Sequence, residues 1–98
     1  MFVHIVLFWF NEDAPTDAVL SMKNDCDELL KKIKGIEHLW YGKPAMIPRE
    51  VVDNSYNFGL CVIFQDRRTH DEYQNDPLHE EFRKRNKSGW KKVLVYDF

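Results

Sequence analysis

The sequence predicts an α+β domain of the ferredoxin-like class, in which one antiparallel sheet is covered by helices on one face. Four short segments rich in β-branched and aromatic residues predict strands, and three segments with helical periodicity or helix start signals predict helices. Their order along the chain is β-α-β-β-α-α-β. The 98 residues contain no internal repeat or linker, so residues 1–98 are expected to form a single domain.

The first two elements are a strand and an amphipathic helix. Residues 2–10 are almost entirely apolar and stop at the polar run Asn11-Glu12-Asp13, which predicts a strand. Pro15-Thr16-Asp17 opens the helix, and Gly35 supplies the residue that ends it. The apolar residues of this helix recur on one face: Val19, Met22, Cys26, Leu29, Leu30 and Ile33.

The later elements are shorter. Three more strands are predicted over residues 36–43, 56–65 and 92–98. Thr69 is predicted to cap a short helix that runs to about Asn75. Asp76 and Pro77 then start another helix, because the aspartate can accept a hydrogen bond from a backbone N–H and proline suits the first helical position.

The first strand is apolar on both faces. Two sets of apolar side chains alternate along it: Phe2, Val6, Phe8 and Phe10, and Val3, Ile5, Leu7 and Trp9. An antiparallel sheet that meets water on one face normally alternates apolar and polar residues. Because the helices cover only one face, the other would form a large exposed apolar patch in a monomer. We therefore expect a homodimer that packs through this sheet face, with two-fold symmetry.

The composition argues against several classes of partner. The formal net charge of −2 argues against electrostatic capture of nucleic acid or of an anionic membrane. The third strand lacks the basic and aromatic pattern of RNA-binding domains. The apolar N-terminal segment lacks a basic start and a cleavage site and is too short to span a membrane. Cys26 and Cys61 lack metal-ligand spacing and are expected to be buried free thiols, so a cytoplasmic protein is predicted.

The segment from Tyr73 to Phe82 carries the most suggestive chemistry. His79 falls in the first turn of its predicted helix, near the positive end of the helix dipole, which favours the neutral imidazole. A neutral imidazole close to the phenol of Tyr73 would form a proton-transfer pair at neutral pH. The same spacing also describes a well-capped helix in which both side chains complete the core, and the spacing alone favours this second interpretation.

Five short motifs follow one another from residue 4 to residue 98. They are His4-Ile-Val-Leu-Phe8, Gly42-Lys-Pro44, Phe64-Gln-Asp66, Tyr73…Pro77-Leu-His79…Phe82 and Val93-Leu-Val-Tyr-Asp97-Phe98. In this order they resemble the stress-responsive α/β-barrel (Dabb) domain family of the dimeric α/β-barrel superfamily. The resemblance implies a dimer whose two sheets form one barrel, in agreement with the two-faced first strand.

One plant branch of the Dabb family contains polyketide cyclases, which close a ring by aldol condensation without a metal or an organic cofactor. The resemblance implies that His79 would be the base and Tyr73 its partner. It places His4 and Trp90 in the same pocket, together with Phe82. Phe58 stands in this predicted pocket where the cyclases carry a second histidine, so the chain departs from them at that position.

The resulting prediction is a small homodimeric domain with an apolar pocket for a small, aromatic or polyketide-like molecule, without a cofactor and with cyclase or lyase chemistry if it is an enzyme. Two alternatives stay open: a non-enzymatic stress-response or interaction domain, and a cofactor-free monooxygenase. A closed cavity above ~300 Å³ that touches Tyr73 and His79 would favour the ligand site. His38 and His70 are expected to be structural or solvated, and no spacing among the four histidines predicts a metal site.

Overall fold

A computed structural model describes residues 1–98 and confirms the ferredoxin-like α+β class. The strands are β1 (Phe2–Phe10), β2 (Ile36–Gly42), β3 (Phe58–Phe64) and β4 (Trp90–Asp97). The helices are α1 (Ala18–Glu28), α2 (Arg67–Gln74) and α3 (Pro77–Asn86), with short 3₁₀ turns over Leu30–Lys32 and Lys87–Gly89. The strand order in the antiparallel sheet is β2-β3-β1-β4.

Strand β1 lies inside the sheet, between β3 and β4. Val6 is paired with Leu60 of β3 and with Val95 of β4, so these three side chains point to the same face. The helices cover this face, and the core lies between the two layers. The core residues are Val6, Phe8, Met22, Cys26, Leu29, Leu30, Ile33, Phe58, Leu60, Val62, Phe64, Tyr73 and Phe82.

Several element boundaries differ from the sequence prediction: β3 is shorter at both ends than residues 56–65, and the first helix gives way to a 3₁₀ turn after Glu28. Two starts differ for a clear reason. The carboxylate of Asp66, rather than Thr69, caps α2: it accepts hydrogen bonds from the backbone N–H of Thr69 at 2.9 Å and from the Thr69 hydroxyl at 2.8 Å. Helix α2 therefore begins at Arg67, because the carboxylate satisfies an N–H of the first turn. Strand β4 begins at Trp90 rather than at Lys92, because the preceding 3₁₀ turn leads directly into the strand.

The start of α3 is as predicted. Asp76 is the N-cap, and its carboxylate accepts a hydrogen bond from the backbone N–H of Leu78 at 2.8 Å. Pro77 is the first helical residue. The chain turns between the end of α2 and this capped start, and the turn sets the relative positions of Tyr73 and His79.

Gly35 ends the first helical region in a conformation that favours glycine. Its φ is 96°, in the left-handed region where a side chain is strained. A Cβ at this position would lie 2.5 Å from Cγ2 of Thr69, well inside van der Waals contact. The segment that leads into β2 therefore packs tightly against the start of α2.

A buried polar network joins α1 to α3. Nδ2 of Asn86 donates to the Asp25 carboxylate at 2.8 Å and to the Phe82 carbonyl at 2.9 Å. Nη1 of Arg85 also donates to Asp25, at 3.3 Å. Asp25 and Asn86 are each 9% exposed, so the bonds between them are largely shielded from water. The network fixes the C-terminal half of α3, including Phe82, against α1.

The other face of the sheet, here named the outer sheet face, is apolar and uncovered in the single chain. It is formed by Ile5, Leu7, Trp40, Cys61, Leu94 and Tyr96. Trp40 is 57% exposed and Tyr96 is 54% exposed. The two-faced character expected of the first strand is therefore present in the sheet as a whole.

Both cysteines are free, as predicted. Cys26 is buried in the core, where burial raises the pKa of its thiol to about 12. Cys61 is only partly buried, so the prediction of two buried thiols is wrong for Cys61, because its pairing places it on the outer sheet face. None of the three helices is long and apolar enough to cross a membrane.

Candidate functional site

A cavity of about 160 Å³ lies between the helix-covered face of the sheet and helices α2 and α3. Twelve residues line it: His4, Val6, Phe8, Leu60, Tyr73, Gln74, His79, Phe82, Arg83, Trp90, Val93 and Val95. This set includes five of the six site residues predicted from the sequence. The sixth, Phe58, lies elsewhere: it is fully buried in the core, with ring centroids 6.0 Å from Phe8 and 5.7 Å from Tyr41.

The cavity is smaller and more open than the closed cavity above ~300 Å³ that would favour a ligand site. Val93 and Val95 face it from β4 and are 41% and 45% exposed, because β4 is an edge strand. The single chain therefore does not meet the criterion of a closed cavity above ~300 Å³. Tyr73 and His79 are nevertheless not packed solid, since both border the open volume. The cavity suits a compound smaller than a drug-sized ligand.

Tyr73 and His79 come from two helices and meet at the cavity. Tyr73 lies in the last turn of α2, and His79 lies in the first turn of α3. Their ring centroids are 4.8 Å apart at an interplanar angle of 69°, which is an edge-to-face aromatic contact. Burial raises the pKa of the Tyr73 phenol, so its hydroxyl stays protonated at neutral pH and can donate a hydrogen bond.

The imidazole of His79 is neutral and has an unused ring nitrogen. Its Nδ1 is buried and has no hydrogen-bond partner in the protein. Burial, followed by the positive charge of Arg83, lowers the pKa of His79 from 6.5 to about 4. The neutral form agrees with the sequence prediction, but burial rather than the helix dipole is the main cause. As a base His79 is weak, so the site suits a substrate whose proton is already acidic.

Trp90 adds a second buried polar atom without a partner. Its Nε1 can only donate, and it has no acceptor in the protein. The ring packs against Phe8 and Phe82, with centroid distances of 4.7 Å and 6.2 Å. Leaving such a donor unpaired costs about 1–3 kcal/mol. Nδ1 of His79 and Nε1 of Trp90 are the only buried side-chain polar atoms left unpaired, and both residues line the same cavity.

His4 is held by a hydrogen-bond network around the cavity wall. Its Nδ1 lies 2.6 Å from the Asp97 carboxylate, and its Nε2 lies 3.3 Å from Nε2 of Gln74. The same Gln74 nitrogen lies 3.4 Å from Nε2 of His70. In the tautomers that fit, Nδ1–H of His4 donates to Asp97, and the Gln74 amide donates to both histidines. Burial lowers the pKa of His4 more than the bond to Asp97 raises it, so this imidazole is also neutral.

His70 is buried, so the structural interpretation of this residue is correct and the solvated one is wrong. It is 9% exposed, and its ring stacks on Phe2 with a centroid distance of 4.4 Å. The polar composition of the start of α2 gives no indication that His70 is buried and packs on Phe2. The spacing of His70, Tyr73 and Gln74 places all three on one helical face, and it is the sequence signal that could have located His70 beside the site.

His4, His70 and Asp97 form a group of potential metal ligands whose ligand atoms lie within 4.8 Å of one another. No sequence spacing indicated this group, because His4 and Asp97 are 93 residues apart. The ring nitrogens of both histidines are already hydrogen-bonded to Asp97, Asp71 or Gln74. A metal ion would have to displace the Gln74 amide, so we interpret the cluster as a network that orients His4.

The sequence profile of the stress responsive A/B barrel domain, abbreviated Dabb, matches residues 2–98. The chain belongs to the Dabb family. The match spans nearly the whole chain and confirms the resemblance that the five sequence motifs indicated. No curated protein matches the sequence significantly.

The Dabb domain is similar over almost its whole length to several solved structures. A Dabb family protein with a ferredoxin-like fold from Mesorhizobium loti is 23% identical, with a TM-score of 0.78 and coverage of 99% of this chain and 93% of that chain. A dimeric protein with a ferredoxin-like fold from Bacteroides fragilis is 26% identical, with a TM-score of 0.77 and coverage of 99% and 93%. The hydroxynitrile lyase from Passiflora edulis is 14% identical, with a TM-score of 0.80 and coverage of 99% and 90%. These similarities confirm the fold.

Proposed function

We propose that this Dabb domain binds a small, largely apolar carbonyl compound and catalyses a lyase or cyclase step on it without a cofactor. The observation that carries the proposal is that two residues lining the cavity, His79 and Trp90, each have a buried ring nitrogen, Nδ1 and Nε1, without a partner in the protein. Buried polar groups in folded proteins are nearly always hydrogen-bonded, so two exceptions on residues that line one cavity favour a ligand site. A carbonyl oxygen would accept from Trp90, and an acidic C–H would lie against His79.

The chemistry divides between one base and two donors. His79 would take the proton from the carbon next to the carbonyl, and the C–H electron pair would move onto the carbonyl oxygen to form an enolate. Tyr73 and Trp90 would stabilise the negative oxygen by donating hydrogen bonds. The enolate carbon would then attack a second carbonyl carbon, and the proton on His79 would pass to the new alkoxide. The reverse sequence cleaves a C–C bond, and acid–base help of this kind is worth about 10²–10⁴-fold.

Two further observations support this assignment. The walls next to the polar atoms are apolar, being formed by Val6, Phe8 and Phe82, and a water-poor surrounding strengthens hydrogen bonds to a developing charge. The similar protein from Passiflora edulis, which shares the fold, is a hydroxynitrile lyase. A lyase step is therefore compatible with this architecture.

Exchange of carbon-bound protons for deuterium tests the catalytic part of the proposal. Phenylacetone, whose benzylic protons lie next to a carbonyl, is incubated with the protein in D₂O and followed by NMR. The wild type is expected to accelerate exchange, His79→Ala to lose the acceleration and Tyr73→Phe to reduce it about tenfold or more. Lys84→Ala is the control, because Lys84 is exposed on the same helix as His79 but outside the cavity lining. Unchanged exchange in His79→Ala would rule out this base.

Binding without catalysis is the second candidate, and the low pKa of His79 favours it. A base with a pKa of about 4 provides little driving force for proton removal at neutral pH. The two candidates give different results with the same proteins. Binding alone would be indicated if phenylacetone raised the melting temperature of the wild type but not of His79→Ala, and if the wild type did not accelerate deuterium exchange.

We also propose that two copies pack through the outer sheet face. Its apolar side chains, among them Trp40 and Tyr96, would otherwise be exposed to water. The similar protein from Bacteroides fragilis is described as dimeric. Light scattering at micromolar concentration is expected to give the mass of a dimer, and a monomeric mass would contradict the proposal.

A further inference from the structure

The open side of the cavity carries the charged side chain of Arg83. Arg83 follows His79 by about one turn of α3, so both project from the same face of that helix. It lines the cavity together with the exposed residues Val93 and Val95. The Arg83 side chain is itself 48% exposed. The Arg83 side chain therefore borders the cavity and is at the same time accessible to solvent.

Arg83 is the only lining side chain that is ionised at neutral pH. The rest of the lining consists of apolar residues, the Gln74 amide and three titratable groups. Burial lowers the pKa values of His4 and His79 and raises that of Tyr73, so all three are uncharged. The lining thus has one positive charge, and no carboxylate is among the lining residues.

The partner of Arg83 is easily displaced. Nη1 of Arg83 donates to Oε2 of Glu80 at 3.2 Å, and the Glu80 side chain is 68% exposed. Exposed ion pairs of this kind contribute little stability. A single bond also leaves other guanidinium N–H groups free, and arginine binds carboxylates through two parallel hydrogen bonds.

Two uncharged polar groups of the residues that line the cavity can donate a hydrogen bond to a ligand. Nε1 of Trp90 can only donate, and it is buried without a partner. The Tyr73 hydroxyl stays protonated at neutral pH and can donate as well. One carbonyl oxygen can accept from both groups. A ligand that suits this lining therefore combines a carbonyl oxygen, a short hydrocarbon body and an anion.

We infer that the compound bound here is a small oxo-carboxylate, whose carboxylate contacts Arg83 and whose carbonyl oxygen contacts Trp90 and Tyr73. The inference rests on the proposed function, because it names the substrate class of the same cavity. Arg83 selects anions, and an uncharged ketone of the same shape binds less tightly.

Two compounds of nearly equal shape separate charge from shape: β-benzoylpropionate, an aromatic oxo-carboxylate, and β-benzoylpropionamide, its uncharged primary amide. Calorimetric titration gives the Kd of each for the wild type, Arg83→Gln and Lys84→Gln. For the wild type, the Kd of β-benzoylpropionate is expected to be at least about tenfold lower than the Kd of the uncharged compound, as hydrogen bonds to a charged group imply. Arg83→Gln should lose this preference, whereas Lys84→Gln, which removes the same charge outside the lining, should keep it. Glu80→Gln should strengthen binding of the anion by removing its competitor.

The possible failures are distinguishable. Equal affinities of the wild type for the two compounds, or a preference that Arg83→Gln retains, would overturn the role of Arg83 and leave the proposed function intact. An equal loss in Arg83→Gln and Lys84→Gln would also overturn it, since the preference would then reflect overall charge. Failure of the wild type to bind either compound would overturn both the inference and the proposed binding site. Melting curves without compound verify that each variant is folded.

Discussion

The partly buried imidazole of His79 should make the stability of the domain depend on pH. Because the pKa of His79 is lowered from 6.5 to about 4, the unfolded chain takes up a proton at pH values where the folded protein does not. The contribution of His79 to the free energy of unfolding is therefore fully present above pH 6.5 and decreases as the pH drops towards 4. At about 1.4 kcal/mol per pH unit, the loss reaches about 2 kcal/mol near pH ~5 and about 3 kcal/mol below pH ~4. These are upper limits, because His79 is only partly buried.

Chemical denaturation at about pH 7 and about pH 5 measures this effect as the free energy of unfolding of the wild type and of His79→Gln. Between these pH values the wild type should lose up to about 2 kcal/mol more than the variant. Protein concentration is held fixed because the stability of a dimer depends on it. His4, also buried and neutral, changes stability with the same sign in both proteins, so the difference isolates His79. Lys84→Gln, whose side chain is exposed on α3, should behave as the wild type. Equal losses in wild type and His79→Gln would refute the burial argument.

Three further predictions concern stability and assembly. Asn86→Ala should lower the free energy of unfolding by about 1–3 kcal/mol, because it removes the amide that donates a 2.8 Å hydrogen bond to the buried Asp25 carboxylate. An unchanged denaturation midpoint would contradict this. Gly35→Ala should lower it by about 1–3 kcal/mol, because the new Cβ would lie 2.5 Å from a side-chain carbon of α2 at a φ of 96°; a wild-type melting temperature would argue against that packing. Leu7→Glu should give a monomeric mass in light scattering because it places a charge on the outer sheet face, whereas Lys32→Glu should remain dimeric. A dimeric Leu7→Glu protein would exclude this interface.

The fold was predictable because most of its determinants are local. The apolar run of β1 and the Asp76-Pro77 start of α3 are properties of neighbouring residues, and both are found where predicted. The start of α2 was not predicted correctly, because Asp66 and Thr69 are both good capping residues. Only the folded geometry shows that the Asp66 carboxylate binds the N–H of Thr69.

The family resemblance predicted most of the chosen residues that line the candidate cavity. The shape of the cavity and the pKa of His79 could not be predicted from the sequence. Asp97 orients His4 from 93 residues away, and no spacing pattern reveals a contact over such a separation. The shape of the cavity depends on which parts of the edge strand β4 the helices leave uncovered. Phe58 shows the same limit, since only the packing of the core places it away from the cavity. The low pKa of His79 likewise arises from burial by the whole fold rather than from its helix position alone.

The central claim is that the cavity binds a carbonyl compound at polar atoms that the fold leaves unpaired. The chain has three tryptophans, and each gives one indole N–H signal in an NMR spectrum of the ¹⁵N-labelled protein. Nε1 of Trp9 already donates to Oγ of Ser55 at 3.0 Å, and Trp40 lies on the outer sheet face. Titration with phenylacetone should therefore shift the Trp90 signal downfield as its N–H gains an acceptor, while the other two stay in place; Trp90→Phe identifies the signal. A Trp90 signal that does not move up to the solubility limit of phenylacetone would contradict the claim.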